Sequence, residues 1–270
     1  KEFSDKIEKV QAQNLADSRI EENQVKELNQ LSISYNKMLG RLSHAFETQR
    51  QFTANAAHEL RTPLALMQVQ LDLYNSTRHP DNDAETLQTI KMVTEQNDRL
   101  GKMVKTLLDM SEFQTVSRNE KIIVDALVDE VLADLDPLAQ EKDITLIGKC
   151  ESITMIGSDV LIYRLVYNLV ENAIRYNHPG GQVTVTACRK EQKVCLSVSD
   201  TGSGIPENLR ERVFEPFFRV DKSRSRELGG VGLGLALARE IVRVHEGSIT
   251  VRPNPSGGTI FDVTFTRGSI

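Results

Sequence analysis

Two asparagines and one arginine share a helix face in the segment from Leu165 to His178. Asn168 and Asn172 are four residues apart, so their amide oxygens project from the same side of a helix, where such oxygens can hold Mg²⁺ beside phosphates. Arg175 lies on nearly the same face, where a guanidinium can contact phosphate oxygens. Exposed helix faces also carry these residue types without any ligand. The pattern is therefore a hypothesis that other segments must support.

Two glycine-rich segments follow later in the chain. The first, Asp200-Thr-Gly202-Ser-Gly204-Ile205-Pro206, comes directly after a predicted strand, and the second, Gly229 to Leu235, leads into a predicted helix. Closely spaced glycines expose backbone N–H groups to a phosphate, and a helix N-terminus adds favourable potential. Neither segment is a P-loop or fits the dinucleotide fingerprint of the Rossmann fold. Between them, the polar stretch 221–226 is predicted to be a mobile lid.

The sequence Asp200-Thr-Gly-Ser203 also matches the signature of an aspartic protease. That enzyme needs two such carboxylates that share one proton, and this chain has a single copy. No barrel-like run of strands surrounds it. The protease interpretation is therefore disfavoured.

A histidine followed by a glutamate lies on the first predicted helix. At about 100° per residue, the apolar positions between residues 60 and 71 fall on the opposite side from His58, which is expected to point away from the core. Thr62 is one turn further along the same side, and Glu59 is the immediate neighbour. A histidine ring can act as a nucleophile, and a nearby carboxylate can fix its tautomer. A surface histidine without a role is the alternative.

Long helices are predicted for the N-terminal part of the chain, because residues 1–113 contain almost no glycine or proline. The polar segment Asn75 to Asp83, with Pro80, marks a break between two helices. The second helix carries a heptad seam formed by Ile90, Val93, Asn97, Leu100, Val104, Leu107 and Ser111. A helical hairpin with one apolar seam needs another hairpin against it. We therefore expect a four-helix bundle made by a homodimer.

Short β-rich runs alternate with helical stretches beyond Val116, which predicts a separate α/β domain. Predicted strands lie near 144–147, 182–187, 194–199, 248–251 and 259–265, and predicted helices near 125–141, 158–175 and 233–245. A hairpin turn near Glu191 implies antiparallel pairing, so we expect a mixed sheet with helices on one face. Cys188 and Cys195 can face each other across this turn, and two free thiols are favoured over a disulfide. The predicted fold class is thus an all-α helical hairpin followed by an α/β sandwich.

Composition excludes several classes of protein. The net charge of −5 and the interspersed charges do not form a stripe for nucleic acid, so nucleic acid is not an expected direct partner. Three cysteines are too few for a disulfide scaffold or a zinc ribbon. No apolar run approaches the roughly 20 residues of a membrane span. The chain begins inside a helical pattern without a methionine, so we expect a piece of a longer protein with a membrane anchor upstream.

The segments, in this order, resemble the motifs of sensor histidine protein kinases. They correspond to an H box at His58, an N box from Asn168 to Tyr176, a G1 box at Asp200, an F box at Phe214 and a G2 box at Gly230. The resemblance covers roughly residues 44–267. The C-terminal part resembles the ATP-binding domain that these kinases share with the gyrase, Hsp90 and MutL ATPases.

This resemblance implies three regions. Residues 1–43 are similar to part of a HAMP signal relay, with an ordinary signalling coiled coil as the alternative. Residues 44–117 correspond to a dimerisation and histidine phosphotransfer domain, and residues 118–270 to a catalytic ATP-binding domain. The whole would be the cytoplasmic portion of an inner or plasma membrane protein.

The resemblance also implies an activity, with ATP and Mg²⁺ as cofactors. His58 is the implied phosphoacceptor, Glu59 takes or orients its second ring proton, and Thr62 positions water when the partner is dephosphorylated. The implied partner is a response regulator that receives the phosphoryl group on an aspartate and is expected to bind DNA. The enzyme is thus expected to be a homodimeric kinase that also has phosphatase activity.

The same resemblance implies roles around the nucleotide. Asp200 accepts a hydrogen bond from the adenine amino group with Thr259 nearby, while Tyr176 and Ile205 pack on the base. Asn172 holds Mg²⁺ with help from Asn168. Arg219 and the backbone of 230–235 meet the phosphates. The full implied nucleotide-binding set is Asn168, Asn172, Arg175, Tyr176, Asp200, Gly202, Gly204, Ile205, Arg219, Gly230, Gly232, Leu233, Gly234, Leu235 and Thr259.

Two alternatives stay open at the level of sequence. In the first, the chain is a non-catalytic dimeric scaffold, against which the intact Asn172, Asp200 and glycines argue. In the second, it is an ATPase of the gyrase or Hsp90 type that forms no phosphoenzyme. Those ATPases carry a glutamate general base four residues before the metal-binding asparagine, where this chain has Asn168.

Overall fold

The computed structural model describes residues 26–76, 83–113, 116–220 and 231–266. The chain divides into two units, Lys1–Thr62 and Pro63–Ile270. The predicted lid at 221–226 and the predicted site residue Gly230 lie outside the described residues. Within the described helices, no segment is both long and apolar enough to cross a membrane.

Two long helices account for the described residues of the N-terminal part, as predicted. Helix α1 spans Lys26–Ser76 and helix α2 spans Asp83–Glu112. The Tyr74 and Thr86 hydroxyls lie 3.0 Å apart and join the end of α1 to the start of α2. Helix α1 runs through Pro63, although proline has no N–H to donate to the helical ladder. The predicted helical hairpin is confirmed.

An α/β domain follows the hairpin. Its elements are β1 Glu120–Ile123, α3 Val124–Glu141, β2 Thr145–Cys150, β3 Thr154–Gly157, α4 Asp159–Arg175, β4 Gln182–Lys190, β5 Lys193–Asp200, α5 Gly234–Val244, β6 Ser248–Pro253 and β7 Thr259–Phe265. Two short 3₁₀ turns, Glu207–Leu209 and Arg212–Phe214, lie between β5 and α5. Each strand and helix predicted for this domain is present, with ends that differ from the predicted ones by at most three residues.

The main sheet has five strands in the order β2-β4-β5-β7-β6. Strands β2 and β4 are parallel and the other pairs are antiparallel, so the prediction of a mixed sheet is confirmed. Cys188 and Cys195 face each other on β4 and β5, and both are free thiols. A second sheet, formed by β1 and β3, was not predicted, because strands of four residues are too short for a periodic pattern to stand out.

Helices cover one face of the five-stranded sheet. In the three central strands β4, β5 and β7, every second residue is buried on that face, together with an apolar stripe on each helix. The buried strand residues are Val183, Val185, Ala187, Val194, Leu196, Val198, Phe261, Val263 and Phe265. The opposite face presents hydroxyl-bearing side chains such as Thr184 and Ser197 to an open groove. This alternation is what the strand pattern in the sequence predicts.

A buried histidine joins helix α5 to helix α4. His245, only 3% exposed, lies 2.8 Å through Nδ1 from the carbonyl oxygen of Ile241, and its Nε2 accepts a hydrogen bond from the Ser158 backbone N–H at 3.1 Å. The accepting Nε2 requires a neutral ring whose proton is on Nδ1. Burial lowers the pKa of His245, and the nearby positive charge of Arg118 acts in the same direction. The neutral ring is therefore part of the folded structure.

We predict that His245 makes the fold less stable below about pH 6.5. His245 takes up a proton near pH 6.5 in the unfolded chain but only at lower pH in the folded chain. The stability that the neutral ring contributes is therefore fully present above pH 6.5 and is lost as the pH falls below that value. In urea unfolding between pH 7.5 and 5.5, His245→Gln should lower stability at pH 7.5 by about 1–3 kcal/mol and flatten the pH dependence. The exposed His178, changed to Gln, is the control. An unchanged pH slope in His245→Gln would contradict this account.

Candidate functional site

A buried carboxylate ends strand β5. Asp200 is 6% exposed, and its Oδ1 accepts hydrogen bonds from the backbone N–H groups of Gly202 at 2.8 Å and Thr259 at 3.1 Å. Burial raises the pKa of Asp200, and the two N–H bonds partly offset that effect. Within the described residues, both bonds go to the same oxygen. The other oxygen, Oδ2, is therefore placed to accept a hydrogen bond from a ligand.

Gly258 packs directly against this carboxylate. Its φ of +89° is in the region that favours glycine, and a Cβ there would lie 2.5 Å from Asp200 Oδ1 and 2.6 Å from the Gly202 nitrogen. A side chain at this position would thus displace the carboxylate or the loop after β5. The sequence analysis does not include Gly258 among the site residues, although the pair Gly257-Gly258 directly before a predicted strand is a local signal for it.

The end of helix α4 meets the loop after β5. The Ser203 backbone N–H donates to the carbonyl oxygen of Tyr176 at 3.2 Å, and a Cβ at Gly202 would overlap that same oxygen. Gly204, with φ of +71°, approaches the turn before β7, and Ile205 is half-buried against the core. Five predicted site residues around Asp200 are therefore brought together: Tyr176, Gly202, Gly204, Ile205 and Thr259.

A second group of predicted residues lies where helix α4 meets the start of helix α5. The Asn168 side-chain nitrogen donates to the Arg164 carbonyl at 2.7 Å, and a Cβ at Gly234 would lie 3.0 Å from Asn168 Oδ1. The carbonyl oxygen of Gly232 accepts a hydrogen bond from the Phe217 backbone N–H at 2.8 Å. Leu233 is buried, whereas Leu235 and Arg219 are half-buried. Helix α4 carries residues of both groups, because Asn168 belongs to this group and Tyr176 to the group around Asp200. The two residues are roughly 12 Å apart along the helix axis.

The amide oxygens of Asn168 and Asn172 suit Mg²⁺. Both residues are half-buried on α4, and the hydrogen bond from Asn168 nitrogen to a carbonyl leaves its oxygen directed to the start of α5. No group of three histidine, cysteine or carboxylate side chains in the described parts could hold a metal ion. Mg²⁺ keeps several waters and binds through few protein oxygens together with phosphates, so this donor set fits it.

Arg175 forms an ion pair within helix α4. Its guanidinium forms an ion pair with Glu171 on the same helix, with N–O distances of 2.8 and 3.1 Å. The two side chains are 32% and 27% exposed. The phosphate contact of Arg175 stays a prediction, because the pair with Glu171 uses only two of the three guanidinium nitrogens. The spacing of four residues between Glu171 and Arg175 already indicated such a pair.

The predicted phosphoacceptor belongs to the other unit, on α1. His58 is exposed and Glu59 is half-buried. The Thr62 hydroxyl donates to the backbone carbonyl of His58 at 3.2 Å, so the two residues share one side of the helix, as predicted. His58 is thus accessible to a reaction partner from solvent.

We predict that Gly258→Ala destabilises the protein more than Gly257→Ala. Both glycines have positive φ, so both substitutions carry a similar backbone cost of about 1–2 kcal/mol. Only at position 258 does the new methyl group also meet Asp200, whereas nothing lies within 4 Å of a Cβ at position 257. Urea unfolding of the two variants measures the difference. Equal losses would show that close packing on Asp200 is unimportant.

Two family models match the chain. The histidine kinase A phospho-acceptor domain matches residues 48–115, which contain His58. The histidine kinase-, DNA gyrase B- and HSP90-like ATPase matches residues 157–269, which contain both groups of site residues.

Known relatives and solved structures give a consistent picture. The sensor protein CutS of Streptomyces coelicolor is 36% identical over 88% of this chain and 58% of its own length, and the sensor histidine kinase RppB of Synechocystis is 37% identical over 81% and 49%. The chain thus spans about half the length of these relatives. In fold, it is similar to histidine kinase AdeS of Acinetobacter baumannii, with a TM-score of 0.64, 24% identity and coverage of 78% of this chain and 98% of that one. It is also similar in fold to histidine kinase ThkA in complex with response regulator TrrA, with a TM-score of 0.66, 23% identity and coverage of 91% of this chain and 68% of that one. The chain belongs to the sensor histidine kinases of two-component systems.

Proposed function

We propose that this chain transfers the γ-phosphoryl group of ATP to His58 and then to an aspartate of a response regulator. The observation that carries the proposal is the Asp200 carboxylate, which is held through Oδ1 and offers Oδ2 to a donor. An adenine amino group is such a donor. An exposed histidine in a matched phospho-acceptor domain supplies the acceptor that a kinase needs.

The two groups of site residues support one placement of the nucleotide. Adenine donates to Asp200 Oδ2, with Tyr176 and Ile205 beside the base. The phosphates extend along α4 to the backbone N–H groups of residues 232–235, where the N-terminus of α5 favours an anion. Arg219, and Gly230 outside the described residues, complete the proposed phosphate contacts.

The metal site is proposed on the same helix. Asn172 and Asn168 would hold Mg²⁺ through their amide oxygens. The ion, when bound, would neutralise charge on the phosphates during transfer. The residues of the chain itself orient the nucleotide and exclude water around the buried Asp200.

The chemistry at His58 follows from its exposure and its neighbours. A neutral ring nitrogen attacks the γ-phosphorus, the bond from phosphorus to the ADP oxygen breaks, and Glu59 holds the proton on the second ring nitrogen. The phosphoryl group then passes to a carboxylate of the regulator. Thr62, on the same side of α1, is placed to orient a water towards a phosphorylated partner, which supports a phosphatase activity as well. We propose a DNA-binding regulator, by resemblance to the family.

The proposed assembly is a homodimer. Large apolar side chains of α1 and α2 are exposed in the single chain, at 41–66% of their surface, which a second copy could cover. They are Leu64, Leu66, Val69, Leu71, Leu73, Leu87, Ile90, Val104 and Leu108. The regions 1–43, 44–117 and 118–270, the HAMP-like relay and the membrane anchor stay predictions.

An ATPase without a phosphoenzyme is less well supported. Such an enzyme needs a general base near the γ-phosphate, and the residue at the corresponding position is Asn168, whose amide cannot accept a proton at neutral pH. Its nitrogen is already bonded to the Arg164 carbonyl. A non-catalytic scaffold would have no use for a buried carboxylate whose burial is unfavourable.

Labelling with [γ-³²P]ATP tests the proposed function. The wild-type chain should acquire label that is stable in alkali and lost in acid, and His58→Gln should abolish it because the acceptor nitrogen is gone. The exposed His178, changed to Gln, is the matched control and should label normally. Label that persists in His58→Gln contradicts the assignment. Phosphate release without any label would favour the ATPase. The absence of both label and phosphate release would favour the scaffold.

Glu59 and Thr62 should affect two different reactions, the phosphorylation of His58 and the dephosphorylation of the regulator. Glu59→Ala should slow autophosphorylation by about 10²-fold or more, because it removes the group that holds the ring proton. Thr62→Ala should leave labelling largely intact and slow dephosphorylation of the partner. The rates of His58 labelling and of decay of the phosphorylated cognate regulator measure this. If Thr62→Ala loses labelling as severely as Glu59→Ala, the division of roles is wrong.

A further inference from the structure

A single asparagine organises the turn between strands β6 and β7. The Asn254 backbone N–H donates to the Gly258 carbonyl at 3.1 Å, and its carbonyl accepts from the Gly257 N–H at 2.9 Å. The side-chain Oδ1 accepts from the Ser256 N–H at 3.1 Å. Asn254 therefore sets the path of the chain up to Gly258 and Thr259, the residues that contact the Asp200 carboxylate.

The other half of the same amide reaches across to strand β5. Asn254 Nδ2 donates to the carbonyl oxygen of Asp200 at 2.7 Å and to the Ser199 hydroxyl at 3.1 Å. One side chain thus bonds the backbone of Asp200 and also shapes the turn that leads to Thr259, whose N–H holds Asp200 Oδ1 at 3.1 Å. The Asp200 backbone carbonyl and its carboxylate Oδ1 are therefore both held by the turn between β6 and β7.

We propose that Asn254 is a positioning residue that sets the preference of the site for a 6-amino purine over a 6-oxo purine. The inference rests on the proposed contact between Asp200 and adenine. A carboxylate accepts hydrogen bonds from a 6-amino group, but it repels a 6-oxo group, which is itself an acceptor. The preference depends on how firmly the carboxylate is held, because a carboxylate that can turn away no longer repels the wrong base. Asn254 restricts that turning through the Asp200 backbone.

Two substitutions of Asn254 separate the effect of its donor nitrogen Nδ2 from the effect of the rest of the side chain. Asn254→Asp keeps an oxygen for the Ser256 N–H but replaces the donor nitrogen, and Asn254→Ala removes the donor without adding a charge. The loss that the two variants share is the bond to the Asp200 carbonyl. Ser199→Ala is the matched control, since it removes the other acceptor of the same nitrogen and leaves the Asp200 bond intact.

The measurement is the equilibrium dissociation constant of the full chain for ATP and for GTP, with unfolding curves to check that each variant folds. Both Asn254 variants should weaken ATP binding about 5- to 10-fold, the equivalent of one hydrogen bond, because a carboxylate that turns away holds the 6-amino group less well. GTP binding should stay the same or become tighter, because the carboxylate then repels the 6-oxo group less. Ser199→Ala should keep the wild-type ATP to GTP ratio. An unchanged ratio in both Asn254 variants, or equal weakening of ATP and GTP, overturns the inference.

Asp200→Asn separates this inference from the proposed function. It should weaken ATP far more than GTP, because an amide nitrogen replaces the proposed acceptor of the adenine amino group. If Asp200→Asn keeps the wild-type preference, the proposed adenine contact is wrong and the inference falls with it. If Asp200→Asn loses the preference and both Asn254 variants keep it, only the positioning role of Asn254 is wrong.

Discussion

The arrangement of this domain depends on one constraint, the burial of the Asp200 carboxylate at the end of strand β5. Two backbone N–H groups hold one oxygen of this carboxylate. Burial of Asp200 disfavours its charged form, so the group is a cost to folding that the surrounding structure must offset. The offset comes from Gly202 and Thr259, whose N–H groups reach the same oxygen, and from Gly258, whose missing side chain permits the approach. This arrangement leaves Oδ2 as the oxygen that we propose accepts a hydrogen bond from the base.

Helix α4 connects the residues around Asp200 to the rest of the proposed site. Its apolar face, with Leu165, Leu169 and Ala173, is buried against the sheet, and that packing fixes the rotation of the helix. The face beside it then presents Asn168 to the start of α5, while the C-terminal end brings Tyr176 to the loop after β5. The core thereby sets both the spacing and the orientation of the residues proposed to hold base and phosphates.

Local patterns allowed the sequence to predict much of this. Alternating apolar residues defined β4, β5 and β7, helical periodicity defined α4, and the glycines after Asp200 marked a loop that packs closely against Tyr176 and Gly258. Contacts between distant segments could not be predicted in this way. Asn254 bonds Asp200 from 54 residues away, and His245 meets Ser158 from 87. Nothing in the local sequence of either residue specifies its partner, because the pairing arises only when the sheet and helices are assembled.

The most direct test of the account is the ionisation of Asp200, followed by carboxyl ¹³C NMR with and without nucleotide. The pKa of Asp200 in the free chain should lie above the ordinary value for aspartate, because the carboxylate is buried. Addition of ADP should lower it, since a donor at Oδ2 stabilises the charged form, whereas GDP should not. A pKa that stays the same in the presence of saturating ADP would contradict the claim that this carboxylate reads the base.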